Sequence, residues 1–342
     1  MCIFTRTNLS RKSESVHNIQ RIGILTSGGD APGMNACIRA CVRTALSQGL
    51  KVTGIQQGYQ GILDKQFVEM NSRSVSNIIQ LGGTILKTAR CLEFRDPSGR
   101  KLAYEHIKEA GIDALIGIGG DGTFTGLELL SREFDLPVIG IPGTIDNDLF
   151  GSDYTLGFDT ASNTVIEAID KIRDTAASHD RLFFVEVMGR DSGYIALHAG
   201  IAGGAEAILL PETATAIEDL IVQLEKAAAG NKSSTIVIVA EGDQNGGAYN
   251  VARHVKERFD FYDIKVTILG HLQRGGAPSS ADRVLGSRLG YAAVNLLLSG
   301  ASRKMVGIRG QEVKHIPLKE ALEYKKFALP KDLMEISQVL AI

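Results

Sequence analysis

Residues 21–50 read RIGILTSGGDAPGMNACIRACVRTALSQGL. The opening run, Arg21–Ser27, is short, aliphatic and unbroken, the pattern of a strand buried on both faces. Glycines at 28, 29 and 33 then interrupt it. From Ala31 to Gln48, residues Ile38, Cys41, Val42 and Ala45 recur on one helical face. Pro32 is favoured at a helix start and Gly49 at a helix C-cap. Strand, glycine turn and helix in that order form the opening unit of an α/β sheet.

The same alternation runs outward through the chain. Aliphatic runs at Lys51–Gln56, Asp113–Ile118, Pro137–Ile141, Leu182–Val187, Ala205–Leu210, Ser234–Ala240 and Lys265–Leu269 read as further strands. A second helix is predicted over Thr160–Ala177, where Val165, Ile169, Ile172 and Ala176 keep the helical spacing and Glu167 can pair with Lys171. The expectation is an open, mostly parallel α/β sheet. At 342 residues the chain exceeds what one core usually serves, so two domains are expected, with a crossing near 155–160. No repeat or linker marks the boundary.

Lys plus Arg number 37 against 39 Asp plus Glu, with 44% of residues hydrophobic and 22% charged. This suits a globular chain with a large core and excludes a disordered one. It also argues against binding nucleic acid or a membrane through bulk charge, so any basic site is local. Cys2, Cys37, Cys41 and Cys91 show neither metal-ligand spacing nor a disulfide framework, which fits a reducing cytoplasm. Residues 1–18 read as a polar tail without a signal-peptide core, and no later run approaches membrane-spanning length.

In open α/β sheets, ligands sit beyond the carboxyl ends of strands, where this chain places its glycine-rich segments. Ser27–Gly33 can bring backbone N–H groups close to a phosphate at a helix start. Gly117-Ile118-Gly119-Gly120-Asp121-Gly122-Thr123 matches a dinucleotide pattern, but the acidic residue expected about 20 positions further on is missing, which weakens a nicotinamide reading. Asp121 among glycines suits a Mg²⁺ ligand beside bound phosphates. Pro142-Gly143-Thr144-Ile145-Asp146-Asn147-Asp148 offers two carboxylates, one able to act as base toward a hydroxyl and the other to help hold a metal. Met188-Gly189-Arg190 follows another strand, with Arg181 before it, and Gly270-His271-Leu272-Gln273-Arg274-Gly275-Gly276 can present donors to a phosphate monoester.

Taken in order, SGGDAPGMN, GGDG, PGTIDND, MGR and GHxQRGG resemble the phosphofructokinase family, from about residue 20 to about 310, with Asp282 completing the signature around residues 265–283. The resemblance implies two Rossmann-like αβα sandwich domains with largely parallel sheets and an active site in the cleft between them. The larger would comprise 19–156 plus about 272–322, the smaller about 157–271 plus 323–342. It implies a bacterial-type, ATP-dependent enzyme phosphorylating the 1-hydroxyl of fructose 6-phosphate. ATP would be bound by Gly29, Tyr59, Arg90, Cys91, Gly120, Asp121, Gly122 and Thr123, with Asp121 on Mg²⁺. Asp146 would be the base, and Thr144 and Arg190 would stabilise the transferring group. Ile145, Met188, Gly189, Glu241, His271, Leu272, Gln273 and Arg274 would complete the sugar site. Arg181 and Lys265 would reach the 6-phosphate from a neighbouring subunit, implying a homotetramer.

Gly122 and Gly143 favour ATP, because pyrophosphate-using relatives typically carry Asp and Lys there. Lys265 stands where many members have Arg and lacks the planar fork that grips phosphate. An allosteric nucleotide site is matched at Arg39, Arg43, Arg173, Glu206 and Lys232, while Ser72 and Gly230 replace basic residues. Alternative readings are a pyrophosphate-dependent enzyme, a lipid or NAD kinase sharing the GGDGT turn, and a catalytically silent sugar-phosphate sensor. The last two fit poorly with the PGTIDND segment and with the intact Asp121, Asp146 and Arg190.

Overall fold

Ile22, Ile24 and Leu25 are wholly buried, and the strand they form lies inside the larger of two sheets. The computed structural model describes residues 19–176, 178, 181–229, 234–258, 262–324 and 328–340. In chain order the strands are β1 (Arg21–Thr26), β2 (Lys51–Ile55), β3 (Phe67–Met70), β4 (Ala114–Gly119), β5 (Val138–Pro142), β6 (Arg181–Val187), β7 (Ala207–Leu209), β8 (Ser234–Ala240), β9 (Asp263–Ile268), β10 (Lys304–Arg309) and β11 (Glu312–Pro317). The helices are α1 (Met34–Ser47), α2 (Gly58–Leu63), α3 (Pro97–Glu109), α4 (Asp121–Phe134), α5 (Phe158–Ala176), α6 (Tyr194–Ala202), α7 (Ile217–Ala229), α8 (Ala248–Lys256), α9 (Ser280–Leu298), α10 (Leu318–Glu323) and α11 (Lys331–Leu340).

The 7-stranded sheet has the order β11-β10-β5-β4-β1-β2-β3. Its interior pairs are parallel, and only the edge pairs β2–β3 and β10–β11 are antiparallel. The 4-stranded sheet, β7-β8-β6-β9, is parallel throughout. The fold is therefore the expected α/β class with largely parallel sheets. Every aliphatic run named above forms a strand, its ends shifted by a residue or two. β3, β10 and β11 were not among them.

α1 begins at Met34 rather than Ala31, because Gly33 before it sits at φ 97°, a left-handed conformation outside the helix. α5 covers the predicted helix and starts slightly earlier, at Phe158. Val165 and Ile169 are fully buried, each worth about 1.5–3 kcal/mol. The Glu167–Lys171 ion pair is exposed at both ends and screened by water, so the apolar stripe holds this helix.

One cluster of buried apolar residues runs from Ile22 and Ile116 in the large sheet, through Val165 and Ile195, to Val185 and Ile236 in the small one. The two sheets are thus fastened through α5 and α6. β2 lies on one side of β1 and β4 and β5 on the other. That change of direction opens a crevice beyond the carboxyl ends of β1 and β4, the ligand position of open α/β sheets. Among the described residues, no helix is long and apolar enough to cross a membrane.

Candidate active site

The loops after β1 and β4 meet at this crevice. The Ser27 N–H donates to the Ile118 carbonyl at 3.1 Å, and the Thr123 hydroxyl donates to the Ser27 carbonyl at 3.0 Å. Below the turn, the Tyr59 hydroxyl donates to the Thr123 carbonyl at 2.5 Å, and its ring stacks on Phe94 at 4.1 Å. Tyr59 is 6% exposed, so it supports the turn from the core rather than presenting a face at the surface. Cys91 packs against the same cluster, where burial pushes its thiol pKa up, and Arg90 is exposed. Asp121 and Gly122 open the first turn of α4 on the solvent side.

The loop after β5 is pinned to the first two. The Gly143 N–H donates to the Gly119 carbonyl at 2.9 Å, and the Leu156 N–H to the Pro142 carbonyl at 3.0 Å. The Thr155 hydroxyl donates to the Thr144 carbonyl at 2.6 Å. Asn147, at φ 50°, accepts the Thr155 N–H at 3.0 Å and donates to the Asp153 carbonyl at 3.1 Å. Between these supports stands Asp146, 2% exposed, its N–H donating to Thr144 Oγ1 at 3.2 Å.

Asp146 Oδ1 is buried and has no hydrogen-bond partner. Oδ2 lies 3.7 Å from Arg190 Nε. Burial raises the Asp146 pKa from 3.8 to about 6; the Asp148 charge pushes the same way, and Arg190 and Arg274 pull against it. A desolvated carboxylate with one open oxygen and a pKa near neutrality can take a proton from a hydroxyl. Ile145 beside it is fully buried, main chain included, so it backs the carboxylate rather than facing the crevice.

The small sheet supplies the opposite wall. Glu241, after β8, accepts the N–H groups of Gly189 at 3.3 Å and Arg190 at 2.7 Å, and so fixes the strained Arg190 backbone at φ 53°. Gln273 is fully buried and accepts the Met188 N–H at 3.0 Å. Ser192 Oγ donates to the Asp146 carbonyl at 2.8 Å, tying the two walls together. Arg274 donates to the Asp30 carbonyl at 3.1 Å; a Cβ at Gly29 would stand 2.6 Å from its Nη1, so glycine is what admits it. His271 and Leu272 are exposed.

Arg181 and Lys265 lie elsewhere. Arg181 begins β6 and Met188 follows its end, about 23 Å along the strand at roughly 3.3 Å per residue. Lys265 pairs in register with Phe183. Both cations contact Asp263 Oδ2, Lys265 at 2.9 Å and Arg181 at 3.6 Å. The chain thus gathers Asp146, Arg190, Glu241, Gln273 and Arg274 and leaves these two cations outside.

Of the effector-site matches, Arg39 and Arg43 stand one turn apart on α1. Arg173 donates to the carbonyls of Gly203 at 2.6 Å and Gly204 at 2.9 Å, and buried Glu206 accepts the Ile236 N–H at 2.7 Å. Lys232 and Gly230 lie outside the described residues, as do Cys2 and the 1–18 tail.

Among the described residues, no group of three or more His, Cys, Asp or Glu could hold a metal ion. Asp121, exposed at the start of α4, offers a hard oxygen donor of the kind that fits Mg²⁺ arriving on phosphate oxygens rather than an all-protein cage. Thr155 and Ser192 carry parts of this site that sequence reasoning missed. Each acts through a hydrogen bond to a main-chain carbonyl outside its own segment and leaves no local pattern.

A family model described as phosphofructokinase matches residues 21–297. "ATP-dependent 6-phosphofructokinase 2" of Bacteroides thetaiotaomicron is 53% identical over 324 residues, covering 95% of this chain and 99% of that protein. "ATP-dependent 6-phosphofructokinase 1" of Thermus thermophilus is also 53% identical over 324 residues, covering 95% and 100%. Among solved structures, phosphofructokinase from Saccharomyces cerevisiae superposes with a TM-score of 0.86 at 35% identity, covering 94% of this chain; this chain spans 48% of that longer one.

Proposed function

The chain belongs to the phosphofructokinase family, and from that premise we propose how its residues divide the ATP-dependent phosphorylation of fructose 6-phosphate. Asp146 is the base, and the observation that carries this role is its buried, unpartnered Oδ1 beside Arg190. As the sugar O1 bonds to the γ-phosphorus, Oδ1 takes the proton of the 1-hydroxyl. The bond from the γ-phosphorus to the bridging oxygen breaks, and ADP leaves. Arg190 and the Thr144 hydroxyl stabilise charge on the transferring group, an electrostatic contribution that suits phosphoryl transfer, where the protein does little covalent work.

The backbone of Gly29 and the Gly120–Thr123 turn cradle the nucleotide phosphates, with Arg90 and Cys91 at the rim and Tyr59 beneath. Asp121 is the residue that would hold Mg²⁺, which neutralises charge on the phosphates when bound. Met188, Gly189, Glu241, His271, Leu272, Gln273 and Arg274 shape the sugar pocket. Arg181 and Lys265 stand a strand's length from their own chain's pocket, and this favours their serving a neighbour's 6-phosphate within a homotetramer in the cytoplasm. The proposed domains, 19–156 plus 272–322 and 157–271 plus 323–342, are supported by the strands: each sheet draws all its members from one set.

The donor choice has a geometric counterpart. Nothing lies within 4 Å of where a Cβ on Gly122 would stand, leaving room for a nucleotide. At Gly143 a Cβ would come within 3.0 Å of Met34 Cε and Ile118 Cγ2, so a side chain there requires those neighbours to give by a few tenths of an ångström. Coupled assays with fructose 6-phosphate and either ATP or pyrophosphate test the reading. Turnover with ATP is expected to exceed that with pyrophosphate by about 10²-fold or more. A reversed ratio would overturn the donor assignment, and silence with both would favour a regulatory homologue.

A further inference from the structure

The functional reading gives no task to the most deeply buried carboxylate among the described residues. Asp282, on the first turn of α9, is 1% exposed. Its Oδ1 accepts the Gly157 N–H at 2.8 Å, and its Oδ2 accepts both the N–H of Thr160 at 2.9 Å and the Thr160 hydroxyl at 2.5 Å. These donors form the start of α5, where free N–H groups favour an anion. Thr160 Oγ1 in turn accepts the Ser279 N–H at 3.0 Å, and Ser279 Oγ accepts the Asp282 N–H at 3.2 Å. On its other side Asp282 abuts the end of the first glycine loop: a Cβ on Gly33 would lie 3.2 Å from both the Cβ and the carbonyl oxygen of Asp282.

The starts of α1, α5 and α9 therefore meet at one residue, whose carboxylate binds the start of α5 and whose Cβ and carbonyl back the start of α1, and each helix follows a loop of the site. The Gly157 bond has the clearest consequence. The residues just before it hold the Asp146 loop at Pro142 through Leu156, and at Thr144 and Asn147 through Thr155. Those anchors lie on both sides of Asp146.

We infer that Asp282 is a positioning residue for phosphoryl transfer: by latching residues 157–160 to α9 it holds the 155–157 strap that sets where Asp146 stands against Arg190. It acts on the reacting atoms only through Thr155, Leu156 and Gly157. The inference rests on the reading of Asp146 as the base. A misplacement of about 1 Å in a reacting group can cost about 10²-fold in rate, so a latch of this kind affects turnover before it affects binding.

The test compares Asp282→Asn, Thr160→Val and Thr160→Ser with the unaltered chain, measuring kcat and both KM values per folded protein, the folded fraction being taken from circular dichroism. Asp282→Asn keeps the shape but turns one acceptor into a donor. Its kcat is expected to fall about 10- to 100-fold while both KM values stay within about threefold. Thr160→Val removes the hydroxyl at constant shape and is expected to lower kcat about three- to tenfold, with Thr160→Ser recovering it. Folded Asp282→Asn with unchanged kcat, or a loss that only follows the folded fraction, overturns the proposal. If Asp282→Asn does not fold, the Thr160 pair decides, and equal kcat for Val, Ser and the unaltered chain overturns it. Asp146→Asn run in parallel keeps the two ideas apart: full turnover there removes the base assignment and with it the premise of the latch, whereas a loss there with unchanged kcat in the folded Asp282 and Thr160 variants removes the latch alone.

Discussion

The loop after β5 and the free edge at β9 are built on opposite principles. In the first, main-chain groups are tied to neighbours on both sides, burial is nearly complete, and one carboxylate oxygen is left open. In the second, Arg181, Lys265 and Asp263 are partly or largely exposed and spend their charges on one another. A rigid, dry loop can hold a group of raised pKa for chemistry, because removing water is what perturbs it. An exposed ionic edge contributes little to stability, and its cations can be turned to another anion at small cost. Under the proposed division of roles, the chemical half of the site is complete within one chain and the 6-phosphate contact is supplied across chains.

The sharpest way to break the contrast is at Asp146. Asp146→Asn is expected to lower kcat by about 10²- to 10⁴-fold, with the KM for fructose 6-phosphate little changed, because the amide fills the same space but takes no proton. Steady-state kinetics with both substrates varied measure this. Turnover within a few-fold of the unaltered chain would remove Asp146 as base and leave its burial unexplained.

The second effect concerns stability, and it runs opposite to activity. The folded-state pKa of Asp146 is raised from 3.8 to about 6. Its contribution to stability is therefore fully present below pH 3.8 and is lost as pH rises through about 6. The loss amounts to about 3 kcal/mol at most, since one pKa unit corresponds to about 1.36 kcal/mol. Asp146→Asn should accordingly unfold at higher denaturant than the unaltered chain at pH 8, with the gain disappearing near pH 4. Turnover of the unaltered enzyme should fall as pH drops through about 6, as the base takes up its proton. A variant less stable than its parent at pH 8 would show that the carboxylate is held by partners rather than tolerated for function.

The same contrast governs what could be read beforehand. β1, β4, β5, β6 and β8 are legible as aliphatic runs because both their faces are covered. β3 and β11 are edge strands, and their Phe67-Val68-Glu69-Met70 and Glu312-Val313-Lys314-His315-Ile316-Pro317 mix polar and apolar residues, so no run stands out. β10 is buried, but Gly307 breaks its apolar stretch and charged residues close in at both ends. In the site, the loop carboxylates and Arg190 announce themselves by motif. The struts are less legible: Thr155 lies in no motif, and Asp282, although part of the 265–283 signature, acts across the fold on the main-chain N–H groups of Gly157 and Thr160, to which nothing in its neighbours' identities points. That Asp121 is exposed while Asp146 is 2% exposed also follows only from packing, although both carboxylates follow parallel strands within glycine-containing segments.

The smallest expected effect lies at the exposed edge and sharpens the contrast rather than breaking it. Lys265 is 45% exposed and already paired with Asp263, so any phosphate it grips competes with that carboxylate and with water. An exposed charge contact of this kind is worth about 1 kcal/mol, and Lys265→Ala should raise the KM for fructose 6-phosphate by about three- to tenfold. Turnover at saturation and the KM for ATP should stay as they are, because the contact is made equally before and during transfer. A change in the ATP constant alone would put Lys265 on the wrong ligand. A fall in kcat matching that of Asp146→Asn would mean that the ionic edge takes part in the chemistry, and the division between a dry chemical loop and a wet binding edge would not hold.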